Sequence, residues 1–282
     1  MTQPQRLLKI LAFCCCCFGL VVEISHAGGQ LIGSAGVTQM EGSAGGGIVP
    51  WATITGYGTR DEQSSTAFSS FVSVDDYRMR AYGVAHGFNN RTEVSVARLE
   101  VSAKEGGTEL SENIIGLKVR LFGDLIFTPW PQVAIGAQYK HGLNTKGLPA
   151  SSDSTGTDFY VAATKVWLDG PFHRTLAVNT TLRFSKANQL GLLGFGGDNQ
   201  DDRELLFETS VGLFITRNWL VGGEYRQKPD NFNTFKEDDW KNIFVSYLPN
   251  KQMALTAAFV DLGNIGGLSD QNGGYISLQL SY

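Results

Sequence analysis

Short runs of alternating apolar and polar residues recur along most of the chain. The clearest run is residues 275–282, where Ile276, Leu278, Leu280 and Tyr282 share one face and serine and glutamine residues occupy the other. An alternation of period two is the pattern of a β-strand with one apolar face. Such runs predict strands at residues 48–58, 77–88, 91–102, 112–122, 131–141, 158–168, 175–185, 205–215, 219–227, 240–248, 253–261 and 275–282.

The fold class predicted by this pattern is all-β, as an antiparallel transmembrane β-barrel of about twelve strands. Predicted connections that alternate between short turns and long loops are typical of such a barrel, and an even strand number places both ends of the barrel on the periplasmic side. A further strand at residues 66–74 would need a partner such as 31–37 and would make fourteen strands. A soluble β-sandwich with aromatic residues in its core is the alternative.

The N-terminal residues 1–27 have the organisation of a cleaved signal peptide. Arg6 and Lys9 precede a short apolar stretch, and the segment ends in small residues at Ala27. All four cysteines fall in that stretch, so neither a disulfide nor a cysteine metal site is expected after cleavage. Residues 28–47 then form a glycine-rich N-terminal segment, either a plug or a lead-in, and residues 48–282 form the barrel.

Composition narrows the class of protein. The chain has 34 glycines in 282 residues and is 42% hydrophobic, which argues against both a helical bundle and a disordered chain. The formal net charge of -4 argues against a nucleic-acid partner, which would require a concentrated basic face.

Aromatic residues cluster near the predicted strand ends. Tryptophan and tyrosine favour the membrane interface, where an apolar ring and a polar edge are both accommodated. The predicted aromatics of the periplasmic interface are Trp51, Trp130, Trp167, Trp219, Tyr247 and Tyr282. The expected location is therefore the outer membrane, with its lipid as a partner.

If the apolar faces contact lipid, the opposite faces line the lumen. The predicted lining residues are Arg78, Arg80, Lys118, Arg120, Lys140, Arg183, Arg226, Glu208 and Glu224. A wall with more basic than acidic residues would attract a small anionic solute. Alternatively, these arginines pair with glutamates or with an inserted segment and seal a narrow barrel.

Catalytic signatures are weak. The chain has no G-x-S-x-G, H-E-x-x-H or P-loop motif, so no cofactor, metal or catalytic residue is expected. His141, with Asp153 and Asp158 across the following loop, is the one weak acid/base grouping. The predicted function is a channel or binding protein for a small, anionic solute. The alternatives are an outer-membrane enzyme acting on lipid or surface polymer, and a sealed structural or adhesive barrel plugged by the glycine-rich segment.

The last strand resembles the C-terminal assembly signal of bacterial outer-membrane barrels. The resemblance rests on Ile276, Leu278, Leu280 and Tyr282, with two glycines upstream at Gly273 and Gly274. It implies that the barrel-assembly machinery is a partner.

A second resemblance lies near the N-terminus of the exported chain. The stretches 36–42 (GVTQMEG), 45–52 (GGGIVPWA) and 56–58 (GYG) resemble the N-terminal hallmark of a domain-of-unknown-function family of outer-membrane β-barrel-like proteins from diderm bacteria. The resemblance covers essentially the whole exported chain. It implies export and a barrel fold, and it assigns no catalytic or binding residue.

Overall fold

The wall of the protein is a closed barrel of twelve antiparallel strands, preceded by a small hairpin inside it. The computed structural model describes residues 28–105, 109–143 and 152–282, so the signal peptide predicted at 1–27 lies outside the described residues. The inner hairpin consists of β1 (Val37–Thr38) and β2 (Ala44–Gly45). The wall strands are β3 (Gln63–Val74), β4 (Tyr77–Phe88), β5 (Thr92–Ala103), β6 (Glu109–Phe122), β7 (Gln132–Gly142), β8 (Thr155–Trp167), β9 (Leu176–Ser185), β10 (Glu204–Phe214), β11 (Trp219–Arg226), β12 (Trp240–Tyr247), β13 (Met253–Asp261) and β14 (Asn272–Ser281).

Closure of the barrel depends on pairing between the last and first wall strands. β14 runs antiparallel to β3, from Gly273 opposite Val74 to Ser281 opposite Thr66. Every wall strand therefore has two hydrogen-bonded neighbours, and the sheet has no open edge. Closure satisfies the backbone polar groups internally, which a sheet inside a membrane requires.

The outward face of the barrel is apolar around most of its circumference. Ile115, Leu117 and Ile276 are each more than half exposed, whereas the residues on either side of them along the strand point inward and are buried. Large apolar side chains that cover the outside of a closed barrel are the pattern of a lipid-facing surface. Among the described residues, none of the helical segments is long and apolar enough to cross a membrane.

The predicted first strand at residues 48–58 is wrong. Ile48, Val49, Trp51 and Ile54 are all buried inside the barrel, and the first wall strand is β3. The outward positions of β3 are largely small or polar residues, so β3 lacks the apolar alternation that marks the other strands. The strand considered at 66–74 belongs to the wall, and because it replaces residues 48–58 the strand number remains twelve.

We call residues 28–62, the chain between the first described residue and β3, the plug. Residues 35–57 are buried throughout, because the surrounding wall encloses them. The barrel boundary predicted at residue 48 is therefore too early. The β3–β4 connection is only the pair Asp75 and Asp76. Residues 59–76, which separate the first two predicted strands, are the end of the plug, β3 and this short turn.

The aromatic residues fall into two groups. Trp130, Trp167 and Tyr282 are exposed at the periplasmic ends of the wall, and Trp219 stacks on Tyr247 there with ring centroids 4.7 Å apart. Trp51 is buried in the plug, so its prediction as an interface residue is wrong. That prediction depends on a wall strand at residues 48–58, and the structure has none there.

Candidate functional site: the plugged lumen

The inward-facing charges of the wall differ from the predicted set. The buried basic residues on the wall strands are Lys118, Lys140, Arg183 and Arg226. The buried acidic residues on the wall strands are Glu93, Glu112, Asp158, Glu208 and Glu224. The predicted excess of basic residues is absent from the buried part of the described wall, which has four basic and five acidic groups.

Arg78 and Arg80 do not line the lumen. Both are exposed on the outward face of β4, while Met79 and Ala81 between and beside them point inward and are buried. The alternation rule failed at this end of β4 because the interior there is apolar, so the polar residues of the strand are the ones that face outward. On the neighbouring strand, outward Glu100 pairs with Arg98 at 2.7 Å.

Glu41 of the plug occupies the centre of the basic residues. Its carboxylate contacts the ammonium of Lys140, lies 2.5 Å from Nη1 of Arg226 and lies 3.6 Å from Nη2 of Arg183. All four side chains are almost fully buried. The plug thus supplies an anion to a cluster of three cations contributed by β7, β9 and β11.

Two acidic residues of the wall complete this cluster. Asp158 lies 2.7 Å from Lys140, and Glu208 lies 2.5 Å from Nε of Arg183. Glu208 also lies 3.4 Å from Nε of Arg226. Buried charges require such pairing, since an unpaired charge in a water-poor interior is costly. We call these six residues, with Glu41 at the centre, the Glu41 cluster.

A second ion pair holds the plug through its backbone. Nζ of Lys118 lies 3.1 Å from Glu93 and donates hydrogen bonds to the carbonyls of Ala44 and Thr53, at 2.9 and 2.7 Å. Glu93 in turn accepts hydrogen bonds from the amides of Ala44 and Thr55. This wall pair therefore binds both donors and acceptors of the plug backbone directly.

Polar wall residues bind other parts of the plug backbone. Glu224 accepts hydrogen bonds from the amides of Gly47 and Ile48, at 2.9 and 3.1 Å. Gln132 donates to the carbonyl of Ala52, and Thr181 donates to the carbonyl of Pro50. The wall therefore holds the plug mainly through side chains, and the strands of the plug form a sheet separate from the barrel.

Arg120 lies at the periplasmic mouth. It is half-buried and donates to the carbonyl of Gly123, and its guanidinium lies 3.5 Å from Asp124. Together with Arg60 and Arg91 it borders an open cavity of about 560 Å³. Three arginines and Asp124 therefore line this cavity at the periplasmic end of the wall.

The acid/base grouping considered from sequence does not assemble. His141 is exposed on the outward face of β7, whereas Asp158 is buried inside the barrel with Lys140 and Ser185. Asp153 lies in an outer connection and pairs with Lys186. Within the described ranges, no group of three potential metal-binding side chains occurs.

Sequence reasoning missed Glu41 and the inward acidic residues Glu112 and Asp158. Glu41 carries no periodic signal, because it is a single carboxylate in a glycine-rich segment without alternating residues. One clue was available. A plug acid is the natural counterpart of inward basic residues, and Glu41 is the sole charged residue between positions 28 and 59.

The closed wall with its apolar outer surface and filled interior defines the class of protein. It is a twelve-stranded transmembrane β-barrel of the outer membrane with an N-terminal plug in its lumen. Residues 34–279 match the family described as "Protein of unknown function (DUF3034)", and the chain belongs to this family. The family membership indicated by the N-terminal motif is thereby confirmed.

Solved structures with a similar barrel include three outer-membrane proteins. Omp33 of Acinetobacter baumannii has a TM-score of 0.46 at 12% identity, covering 79% of this chain and 99% of Omp33. The KdgM porin has a TM-score of 0.48 at 11% identity, covering 77% and 99%. Outer membrane phospholipase A from Escherichia coli has a TM-score of 0.42 at 10% identity, covering 76% and 89%. None of the curated proteins matches the chain.

Proposed function

We propose that this protein is a plugged channel that admits a small anionic solute across the outer membrane when the plug leaves the lumen. The observation that carries the proposal is the position of Glu41. Its carboxylate is bound by Lys140, Arg183 and Arg226, the contacts that a carboxylate or phosphate of a solute would make.

Withdrawal of the plug changes the local charge balance. With Glu41 gone, Lys140, Arg183 and Arg226 keep Asp158 and Glu208 as ion-pair partners and lose one carboxylate. In a narrow lumen with a low-dielectric wall, the position left by that carboxylate, between three cationic groups, favours an anion even though the buried wall has no basic surplus. The guanidinium groups of Arg60, Arg91 and Arg120 at the periplasmic mouth favour the same class of solute.

The second candidate is a sealed barrel with a structural role. The observation that favours it is the density of buried contacts between plug and wall, including the Glu41 cluster and the Lys118–Glu93 pair. In this case the plug never leaves under native conditions.

We propose a non-enzymatic role in both cases, because the only acid/base grouping found in the sequence is split between the two faces of the wall.

A reversible lock of the plug separates the two candidates. Oγ1 of Thr38 in the plug donates to Oε1 of Gln279 in β14 at 2.8 Å. The double variant Thr38→Cys, Gln279→Cys is reconstituted into liposomes, and entry of benzoate and of benzylammonium is measured before and after oxidation. Wild-type protein under the same redox conditions is the control.

A plugged channel passes benzoate faster than benzylammonium when reduced, and loses this flux when the lock closes. A sealed barrel passes neither ion under reducing conditions. Flux that continues unchanged through a lock verified by gel mobility would show that the solute path does not involve the plug. Faster entry of benzylammonium would contradict the anionic class.

The last wall strand, β14, carries the apolar residues of the predicted assembly signal. We propose that β14 and the following Tyr282 engage the barrel-assembly machinery during insertion, on the basis of the exposed side chains of Ile276, Leu278 and Tyr282. Tyr282→Ala is expected to lower the amount of folded barrel in the outer membrane, measured by heat-modifiable mobility of the extracted protein. The refolding yield of the same variant in detergent is the control.

A further inference from the structure

The outer mouth of the barrel contains an apolar cavity of about 320 Å³, distinct from the Glu41 cluster. Its wall side is formed by inward residues near the outer ends of β3–β6, including Val72, Met79 and Leu110. Its opposite side is formed by outer connections, through Leu192 and Leu262. None of the described residues that line it carries a formal charge, which separates it from the ionic interior below.

A short segment of the β9–β10 connection divides the two regions. Gln189 and Leu192 line the cavity, whereas the carbonyl of Leu190 accepts a hydrogen bond from Lys140 of the Glu41 cluster at 2.6 Å. Gln189 and Leu190 have φ angles of 45° and 68°, a left-handed conformation that is strained for residues with side chains. A turn with a strained backbone therefore forms the side of the apolar cavity that faces the Glu41 cluster.

We propose that this cavity is a binding site for a small, predominantly apolar molecule, such as an aromatic hydrocarbon. Its volume lies within the roughly 300–1,000 Å³ of small-molecule pockets. Polar groups on its lining are few, among them Gln189, Trp240 and Tyr77, and the hydroxyl of Tyr77 is already directed to the carbonyl of Ile265. Water in such a space finds few hydrogen-bond partners, so an apolar ligand that displaces it is favoured.

The chemistry of the lining excludes a charged occupant. An anion placed here would lose its hydration without gaining a cation or a set of donors, and burial of an unpaired charge is strongly unfavourable. The cavity is present while the plug occupies the lumen. The proposed binding of an apolar molecule therefore does not depend on movement of the plug.

The test is equilibrium dialysis of radiolabelled naphthalene against the full-length protein in lipid nanodiscs, with protein-free nanodiscs giving the lipid background. Ala103→Trp fills the cavity from its β5 side, because Ala103 is among its lining residues. Ser102→Trp is the matched control, since Ser102 is the adjacent residue on the opposite face of the same strand. Val101→Trp, also from the lining, replaces Ala103→Trp if the latter fails to fold.

We expect saturable naphthalene binding near one molecule per barrel, reduced at least tenfold by Ala103→Trp and unchanged by Ser102→Trp. Folding of each variant is checked by heat-modifiable gel mobility. Naphthalene uptake no greater than the lipid background, or equal uptake by the wild type and a folded cavity-filled variant, would overturn the proposal. Saturable binding of naphthalene-1,5-disulfonate without binding of naphthalene would overturn it as well.

Discussion

Glu41 in the plug and Arg226 in β11 form a buried ion pair between two segments separated by most of the chain. Oε2 of Glu41 lies 2.5 Å from Nη1 of Arg226, and the side chains are 0% and 5% exposed. The same guanidinium donates to the carbonyl of Ile48 at 3.0 Å. The pair thus joins the plug to the wall at a depth that water does not reach, and the stability of the barrel and the position of the plug depend on each other.

Glu41→Gln is expected to destabilise the barrel by about 3–5 kcal/mol, because removal of one partner leaves buried cations uncompensated. It is also expected to raise the ionic conductance of the protein in planar bilayers, since the plug loses its central contact. Urea unfolding of the refolded protein gives the stability, and Asp61→Asn at the exposed end of the plug is the control. A variant as stable and as closed as the wild type would show that the Glu41 cluster does not hold the plug.

A double-mutant cycle can measure the coupling energy between Lys118 and Glu93. Lys118→Met alone leaves Glu93 buried without its cation and removes two hydrogen bonds to the plug, at an expected cost of about 3–5 kcal/mol. The double variant Lys118→Met, Glu93→Gln is expected to be more stable than Lys118→Met, because no unpaired charge remains. Unfolding free energies from urea titration give the coupling. Additive losses would contradict direct pairing inside the lumen.

The lipid-facing surface predicts a dependence on depth along one strand. Ile115 is 55% exposed near the middle of β6, and Leu121 is 45% exposed on the same face near its periplasmic end. Ile115→Arg is expected to cost about 2–4 kcal/mol when the barrel folds into phospholipid vesicles, and Leu121→Arg about 0–1 kcal/mol. Equal costs at the two positions would argue that this face does not cross the hydrocarbon layer.

Most of the wall could be predicted from the sequence because lipid on one side and a polar lumen on the other impose a period of two. β4 was predicted with the bounds that the structure has, and the later strands within a few residues. The rule failed for β3, whose outward residues Ser65, Ala67 and Ser69 carry no apolar signal. It also failed for the face of Arg78 and Arg80, because the interior beside the outer half of β4 is apolar.

The candidate site could be predicted only in part. Lys118, Lys140, Arg183 and Arg226 were placed in the lumen by alternation, and the structure brings three of them together around Glu41. Their shared partner could not be found by periodicity, since the plug has no repeating pattern. The fit of the plug depends on individual hydrogen bonds to its backbone, and a sequence does not reveal which side chains across a lumen meet.

The outer connection between β11 and β12 carries a pH-dependent group. Burial lowers the pKa of Lys228 to about 8, although Glu237 lies 3.9 Å away and opposes the shift. Between about pH 8 and the ordinary value of 10.5 the unfolded chain binds more protons at this lysine than the folded chain, so stability rises with pH across that window. The gain is on the order of 1–3 kcal/mol. Urea unfolding at pH 7.5 and pH 10 measures it.

Lys228→Met is expected to remove this rise, and Lys241→Met, at an exposed lysine on β12, is expected to retain it. If Lys228→Met unfolds with the pH dependence of the wild type, the rise between pH 8 and 10.5 comes from other groups.

Gly136 in β7 provides the space that Tyr160 of β8 needs inside the lumen. A Cβ at position 136 would overlap the Tyr160 ring, which lies across the strand from it and 5.3 Å from the Arg183 guanidinium carbon. Gly136→Val is therefore expected to push Tyr160 toward the Glu41 cluster and to destabilise the barrel by about 1–3 kcal/mol, as overpacking of a filled interior does. Gly274→Ala, on the outward face of β14, is the control because a Cβ there has nothing within 4 Å. Urea unfolding compares the two. If both variants have the stability of the wild type, the interior around Tyr160 is loosely packed and the plug does not fill the lumen at this level.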